Sequence, residues 1–524
     1  MRKILALILA LGMLSGMAAA EGVEPGTLRI AVLYDISTMD VARTTDNYMV
    51  PMNVFDRLLE TRPEGDASKV VGSLATDYTV SGDGLTYSFT LREGVVFSNG
   101  SPLTASDVQF SFERLLKLHD QNTDIPLEVV GGREVMEGAA EHLAGFTVAD
   151  DTHFSVTLTA ANAGFPAELT APAMSIVDAE TMSEGFGRIP AETVGTGPYI
   201  VTEWVANDHY TLVFNEKYWG PAPDVRKVIV LVEPTAATQS YKFKSGELDL
   251  IDLQNLDSAV IAAEYKTMPE GRVVSRPRVG INFMMMNEKN GFLGDVRVRK
   301  AISMAIDVDQ IITGIYSGDA LRENGIIPNG VWAHNDRLEA PAYDPEGAKA
   351  LLREAGYGEG QVAFELAEDA SATDSIKLVN LFVSQQLRAV GIDARIQSYD
   401  HAAWLAKRGA GEMDAFIARW GMDYNDPANI MYTFFGSVEN TVGRSLNYPD
   451  TAVIDRVAAA RAIVDDAARE AEYQALEKKL IQEDAVWVPM FAELHLYAIG
   501  DRVASFTPQW AGFTDFFAAD VALK

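Results

Sequence analysis

The chain of 524 residues contains no cysteine. That absence excludes disulfides, thiolate metal sites and cysteine nucleophiles. It also removes the lipid attachment point of a lipoprotein signal, because Met17 follows Leu14-Ser15-Gly16 where a cysteine would be needed. Cations are scarce: 43 Lys and Arg stand against 74 Asp and Glu, a formal net charge of −31. Nucleic acid and anionic membrane both require a basic footprint, so neither is an expected partner. The seven histidines (His119, His142, His153, His209, His334, His401 and His495) are scattered, with no i,i+4 pair to hold a metal. There is no GxSxG elbow, HExxH, Walker A sequence or GxGxxG. Paired acids such as Asp465-Asp466 sit in a helical charge run and read as solvated. An enzyme is therefore not expected, nor a cofactor or resident metal.

Long apolar runs are also lacking, with one exception. Arg2 and Lys3 precede an apolar stretch, Ile4 to Leu14, and small residues lead to Ala18-Ala19-Ala20. This pattern predicts a secretory signal cleaved near Ala20. It is too short to span a bilayer, and no later stretch of about eighteen apolar residues follows. The expected product is a soluble, acidic, exported chain, in a periplasm or at the cell surface. Its length suggests about two to four structural domains.

What is present is an alternation of strand and helix signals. Thr86–Leu91 alternates polar and apolar residues and reads as a half-buried strand. Thr104 with Asp107 three residues on resembles a capping box, opening a helix to about Leu118. Lys227–Val232 is nearly all β-branched or leucine, which predicts a strand buried on both faces. Asp295 precedes Val298, Ala301, Ile302, Ala305 and Ile306, one apolar face at helical spacing. Asp344-Pro345 opens another helix and Gly356 closes it. Thr451 to Asp484 reads as a helical region broken once or twice. The fold class is α/β.

Four segments in order narrow this further. They are Asp83 to Phe97, continued by Asn99 to Val108; Val194-Gly-Thr-Gly-Pro-Tyr199, with Asn215-Glu-Lys-Tyr-Trp219 and Ser245-Gly-Glu-Leu-Asp249; Asp295 to Asp307; and Tyr343 to Leu352, with Glu354-Ala-Gly-Tyr357. Together they resemble the peptide- and nickel-binding family of extracellular solute-binding proteins, over nearly all of the chain beyond the leader. The resemblance implies a periplasmic-binding-protein-like flytrap with two lobes and an extra domain. One lobe would combine residues 21–61, 195–280 and 497–524; residues 62–194 would form the extra domain, and 281–496 the opposing lobe. It further implies a monomeric receptor that delivers a peptide or other small solute to an ABC permease and its ATPase. Within the binding class, an oligosaccharide, a chelated metal such as nickel, or a chaperone or sensor role is the alternative. Gly195 to Pro198 supplies the freedom and the fixed φ of a tight reversal near the lobe crossing.

The resemblance also points to a site. In the peptide receptors an aspartate matching Asp423, within Arg419-Trp-Gly-Met-Asp-Tyr-Asn-Asp-Pro427, holds the ligand's α-ammonium group. A buried cation needs a fixed counter-charge, and a carboxylate supplies one. Arg419, Trp420, Gly421, Met422 and Tyr424 are carried as candidates with it, main-chain groups from Trp420 to Met422 being suited to a peptide added as a strand. Thr45, Asp46, Asn47 and Tyr48 match a loop that lines the cleft. Trp404 is a candidate platform and Arg408 a candidate for a ligand carboxylate; His401 is the candidate for a chelated metal. Asn282 to Met286, with three methionines in a row, reads as a core strand. One departure is that the loop Glu368 to Asp374 is acidic and lacks the arginine that dipeptide receptors carry there. Longer peptides, or a cationic or neutral solute, suit it better.

Overall fold

The structure is a computed structural model that describes residues 23–44, 48–64, 67–119, 122–254, 256, 260–339, 341–508 and 516–524. The leader, with its cleavage position, and the candidates Thr45, Asp46 and Asn47 lie outside the described residues.

Thr27–Val32, Lys227–Val232, His209–Phe214 and Tyr199–Val205 form a four-stranded sheet in that spatial order; the first pair is parallel and the others antiparallel. Lys227–Val232 is fully buried on one face only. Val228 and Val230 are buried, while Ile229 and Leu231 are half-buried, because a small cluster around Phe243 covers the second face. Its apolar run is explained by a central place in the sheet rather than by two complete covers.

A second four-stranded sheet, antiparallel throughout, is built from Ala75–Val80, Thr86–Leu91, His153–Thr157 and Phe146–Val148. The alternation in Thr86–Leu91 puts Tyr87, Phe89 and Leu91 into a core shared with Val108, Phe112, Leu115 and Leu116 of the helix Ala105–Leu118. That helix starts where the capping pattern predicts: the Thr104 amide donates to Asp107 Oδ2 at 2.9 Å. Asp295 and Asp344 likewise cap the helices Val296–Ala305 and Pro345–Glu354, accepting from Arg297 N and Gly347 N. The helical region after Thr451 is broken as expected, into Thr451–Ala460 and Asp466–Lys478.

The largest sheet runs Leu250–Asp252, Trp487–Ile499, Gly280–Met286, Ala415–Gly421, Val362–Asp369, Ile392–Tyr399. Gly280–Met286 is buried on both faces, with Phe283 and Met285 in one core and Met284 and Met286 in another. The Phe283 ring stacks on Trp487 at 3.9 Å, and Phe434 packs edge-on against both. Such pairs add about 0.5–1.5 kcal/mol beyond their buried area.

The thirteen-residue strand Trp487–Ile499 has two sets of neighbours. Its first half pairs with Gly280–Met286, and its second half with Leu250–Asp252 and Val273–Pro277. Residues 273–286 and 487–499 are thus two antiparallel stretches that cross together from one part of the molecule to the other. Strand pairing with Trp487–Ile499 stops after Pro277 and resumes at Asn282, with Arg278 N donating to Glu493 O at 2.9 Å in between, and the register shifts at Asn282/Phe283.

Gly195 and Gly197 meet a separate need. A Cβ on Gly195 would lie 2.1 Å from the Val54 carbonyl oxygen, and one on Gly197 2.6 Å from the Val54 carbonyl carbon. The two chain segments touch backbone to backbone, joined by Gly197 N donating to Val54 O at 2.8 Å. Asp56 ties the crossing down by accepting from Thr196 Oγ1 and Trp219 Nε1, each at 2.9 Å. Asn215 holds the turn through Nδ2 donating to Gly197 O. These motif residues are structural.

Candidate functional site

The strand Ala415–Gly421 carries the site to the edge of the largest sheet. Val362–Asp369 pairs with it only at Ala415 and Phe416, so beyond Phe416 it has a strand neighbour, Gly280–Met286, on one side. Period-2 alternation then sends Arg419 and Trp420 to opposite faces. Arg419 lies 3.4 Å from Glu493, away from the cavity described below. Trp420 turns towards it. Its indole Nε1 donates to Asn429 Oδ1 at 2.9 Å, its ring packs edge-on to Phe434 at 5.2 Å, and the Arg444 guanidinium sits 5.1 Å above it.

The turn after this strand separates two aspartates that look alike in sequence. Asp426 is buried and accepts both terminal nitrogens of buried Arg469, at 2.7 and 2.8 Å, while its Oδ1 also caps Ala428. It is a structural ion pair. Asp423 opens into the cavity, and Asn429 Nδ2 donates to it at 3.3 Å. No cation pairs with it among the described residues. The residue itself is exposed in the open cavity, but the protein crowded around it desolvates the carboxylate in part and raises its pKa against the smaller opposing effect of the Asn429 hydrogen bond.

The cavity is about 800 Å³, within the range of small-ligand sites. One wall comes from residues 122–174, including Asp124, Glu128, Asn162 and Glu168; the other comes from residues 408–461. Tyr48, Arg408, Trp420, Asp423 and Tyr424 all reach it. The walls also touch. Arg461 pairs with Glu128 and, at 3.1 Å, with Glu168, and its carbonyl accepts from Ala163 N at 2.7 Å. Asn425 Nδ2 donates to Ser68 Oγ at 2.6 Å. Burial, and then the Glu128 charge, hold the pKa of Glu168 above the ordinary carboxylate value. Burial raises that of Asp124 as well.

Several sequence candidates lie elsewhere. Trp404 is a core residue, 7% exposed and packed edge-on to Phe416, because its helix His401–Gly409 turns that face inward. It does not line the cavity, but Arg408 lies over its ring at 5.3 Å. Met422 is fully buried and its amide is taken by Val279 O; Gly421 pairs with Gly280 at the sheet end. Neither lines the cavity. His401 pairs with Asp369 at 2.6 Å, and Glu368 accepts from Asn380, so the acidic loop is held outside the cavity wall.

Sequence reasoning missed Arg444, Asn429, Asp124 and the Glu128–Glu168–Arg461 group. Asn429 was within reach, since a polar residue in the first turn after Pro427 can face back towards Asp423. Arg444 and the acids of residues 124–168 carry no local signal, being brought in by chain segments far away in sequence.

A solute-sized cavity between residues 122–174 and 408–461, in a chain threaded by paired crossing strands, suits the binding of a small ligand. Residues 69–441 match the family model for bacterial extracellular solute-binding proteins, family 5 (middle region). The chain belongs to this family, whose members are transport receptors rather than enzymes. Among curated relatives, "Probable D,D-dipeptide-binding periplasmic protein DdpA" of Escherichia coli K12 is 27% identical over 507 residues, covering 95% of each chain. "Heme-binding protein A" of Haemophilus influenzae is 25% identical over 482 residues, covering 89% of this chain and 87% of its own. A solved structure of the periplasmic binding protein DppA from Helicobacter pylori in complex with the peptide STSA matches with a TM-score of 0.73 at 26% identity, covering 95% of this chain and 98% of that one. No helix among the described residues is long and apolar enough to cross a membrane.

Proposed function

We propose that this chain captures peptides, oligopeptides in particular, in the cavity beneath Asp423 and delivers them to an ABC permease driven by its ATPase. The protein acts as a monomer in the periplasm or at the cell surface, after cleavage of the leader near Ala20. The observation that carries the reading is Asp423, a carboxylate open to the cavity with no cation paired to it among the described residues. A ligand cation that fills the cavity and displaces water there completes a pair with it. Ammonium is such a cation, and the strand edge at Trp420, which lines the cavity and has no strand neighbour on the Val362–Asp369 side, offers main-chain groups to an extended peptide. The names of the E. coli and H. pylori relatives support a peptide ligand. A sugar finds less support, because the Trp420 face it would stack on is covered by Arg444.

The mechanism follows from the crossing strands. Residues 21–61, 195–280 and 497–524 form one lobe, with 62–194 as the extra domain, and 281–496 form the other lobe. The lobes close by hinge motion about Pro277–Gly280 and the facing part of 487–499. Ligand favours closure only by binding the closed state more tightly. Replacing Asp423 by Asn is expected to weaken peptide binding by about 2–5 kcal/mol, read by titration calorimetry with an oligopeptide pool recovered from the freshly purified protein. Unchanged affinity removes the ammonium role from Asp423. Native mass spectrometry showing a heme, sugar or metal complex in place of peptides would replace the ligand class.

A further inference from the structure

The cavity holds a second unmatched charge, of opposite sign. Arg408 and Arg444 both line it, and neither forms an ion pair or a side-chain hydrogen bond among the described residues. Each lies over an aromatic face instead, Arg408 over Trp404 at 5.3 Å and Arg444 over Trp420 and Phe434 at 5.1 and 5.2 Å. The two are held together, since Ser445 Oγ donates to the Arg408 carbonyl at 2.9 Å. Arg408 Nε is buried with no acceptor. Burial and the neighbouring Arg408 charge push Arg444 down to about 10. Asp124, on the facing wall, acts on Arg444 only at a distance, and Glu439 on the same wall is exposed.

Two guanidinium groups fixed on rings, repelling each other and without acceptors among the described residues, form a preorganised donor site for anions. A lone α-carboxylate gripped by one fork leaves the other arginine desolvated without a partner, which is costly. A group with two negative charges satisfies both. The opposite charge is near: Asn429 contacts Asp423 with one end of its amide and Trp420 with the other, and Arg444 covers the Trp420 ring. We infer that Arg408 and Arg444 form a dianion subsite that selects peptides ending in an acidic residue, whose side-chain and terminal carboxylates occupy the two forks while the ammonium meets Asp423. The inference rests on the peptide reading and adds a specificity to it.

The test is titration calorimetry of the ligand-stripped protein, near neutral pH, with Ala-Ala-Ala, Ala-Ala-Glu, Ala-Ala-Lys and glutarate. Ala-Ala-Glu is expected to bind about tenfold or more tightly than Ala-Ala-Ala, with Ala-Ala-Lys weakest. In Arg444→Gln and Arg408→Gln the preference for Ala-Ala-Glu should collapse towards that for Ala-Ala-Ala. The wild-type ranking stands as a test even if a variant fails to fold. Equal affinity for the glutamate and alanine peptides, or tighter binding of the lysine peptide, overturns the subsite and leaves the peptide reading intact. Binding of glutarate without any peptide, lost in Arg444→Gln, supports the subsite and overturns the peptide reading. Binding of none of the four overturns the subsite, and the peptide reading is then decided by the recovered oligopeptide pool.

Discussion

Asp423 and Asp426 sit three residues apart in one turn and have opposite duties. Asp426 and Arg469 are both buried and joined by two hydrogen bonds. Asp426→Ala strands a buried guanidinium, and breaking such a pair costs about 3–5 kcal/mol; chemical denaturation should record that loss. Asp423→Asn touches no ion pair among the described residues. Its effect on stability in the absence of ligand should stay within about 0.5 kcal/mol, even though peptide affinity falls. The two variants therefore separate a binding defect from a folding defect at neighbouring positions. Local pattern does not tell the two carboxylates apart, and only the family resemblance singled out Asp423; the physical feature that sorts them is Arg469, 43 residues from Asp426.

At the scale of elements, local chemistry was read well. The helix beginning after Thr104, the caps at Asp295 and Asp344 and the strand Thr86–Leu91 fall where the pattern places them, since capping and alternation act within a few residues. The reading weakened where burial depends on a partner. The apolar run Lys227–Val232 could not reveal that its second face is only half covered. Trp404 could not reveal whether its helix turned it to the core or to the ligand. The Gly195-Thr-Gly-Pro198 turn was legible as a need for freedom, but the cause is the backbone of Val54 pressed against it. Gly195→Ala must displace that backbone and is expected to cost about 1–3 kcal/mol or more, as overpacking does. Thermal denaturation beside the wild type checks it.

For the whole molecule, the buried acids set a pH dependence. Burial pushes Glu323 up to about 8 and Glu477 up to about 7. In the unfolded chain both titrate near the ordinary glutamate value, so the folded state holds these protons more tightly. Their contribution to stability is present below about pH 4.5 and is lost as pH rises through about 7–8. Asp150 acts oppositely: hydrogen bonds led by the Thr152 amide pull it down to about 2, so its contribution is lost only in strong acid. Melting temperature is therefore expected to fall from mildly acidic to mildly alkaline pH. Glu323→Gln should flatten the upper part of that fall in a calorimetric series; an unchanged slope would assign it to other groups.

What the sequence by itself determined is what short-range physics and motif order carry: an acidic, cysteine-free α/β chain of the solute-binding class, with Asp423 singled out on its resemblance to the family. What only the tertiary structure decided is who faces whom. It removed Arg419, Gly421, Met422 and Trp404 from the cavity wall, tied Asp426 to Arg469, and brought Arg408 and Arg444 together with no acceptor among the described residues. The physical reason is that a charge acquires its meaning from its neighbours and its solvent. Both are supplied here by segments scores to hundreds of residues apart, which no local pattern encodes.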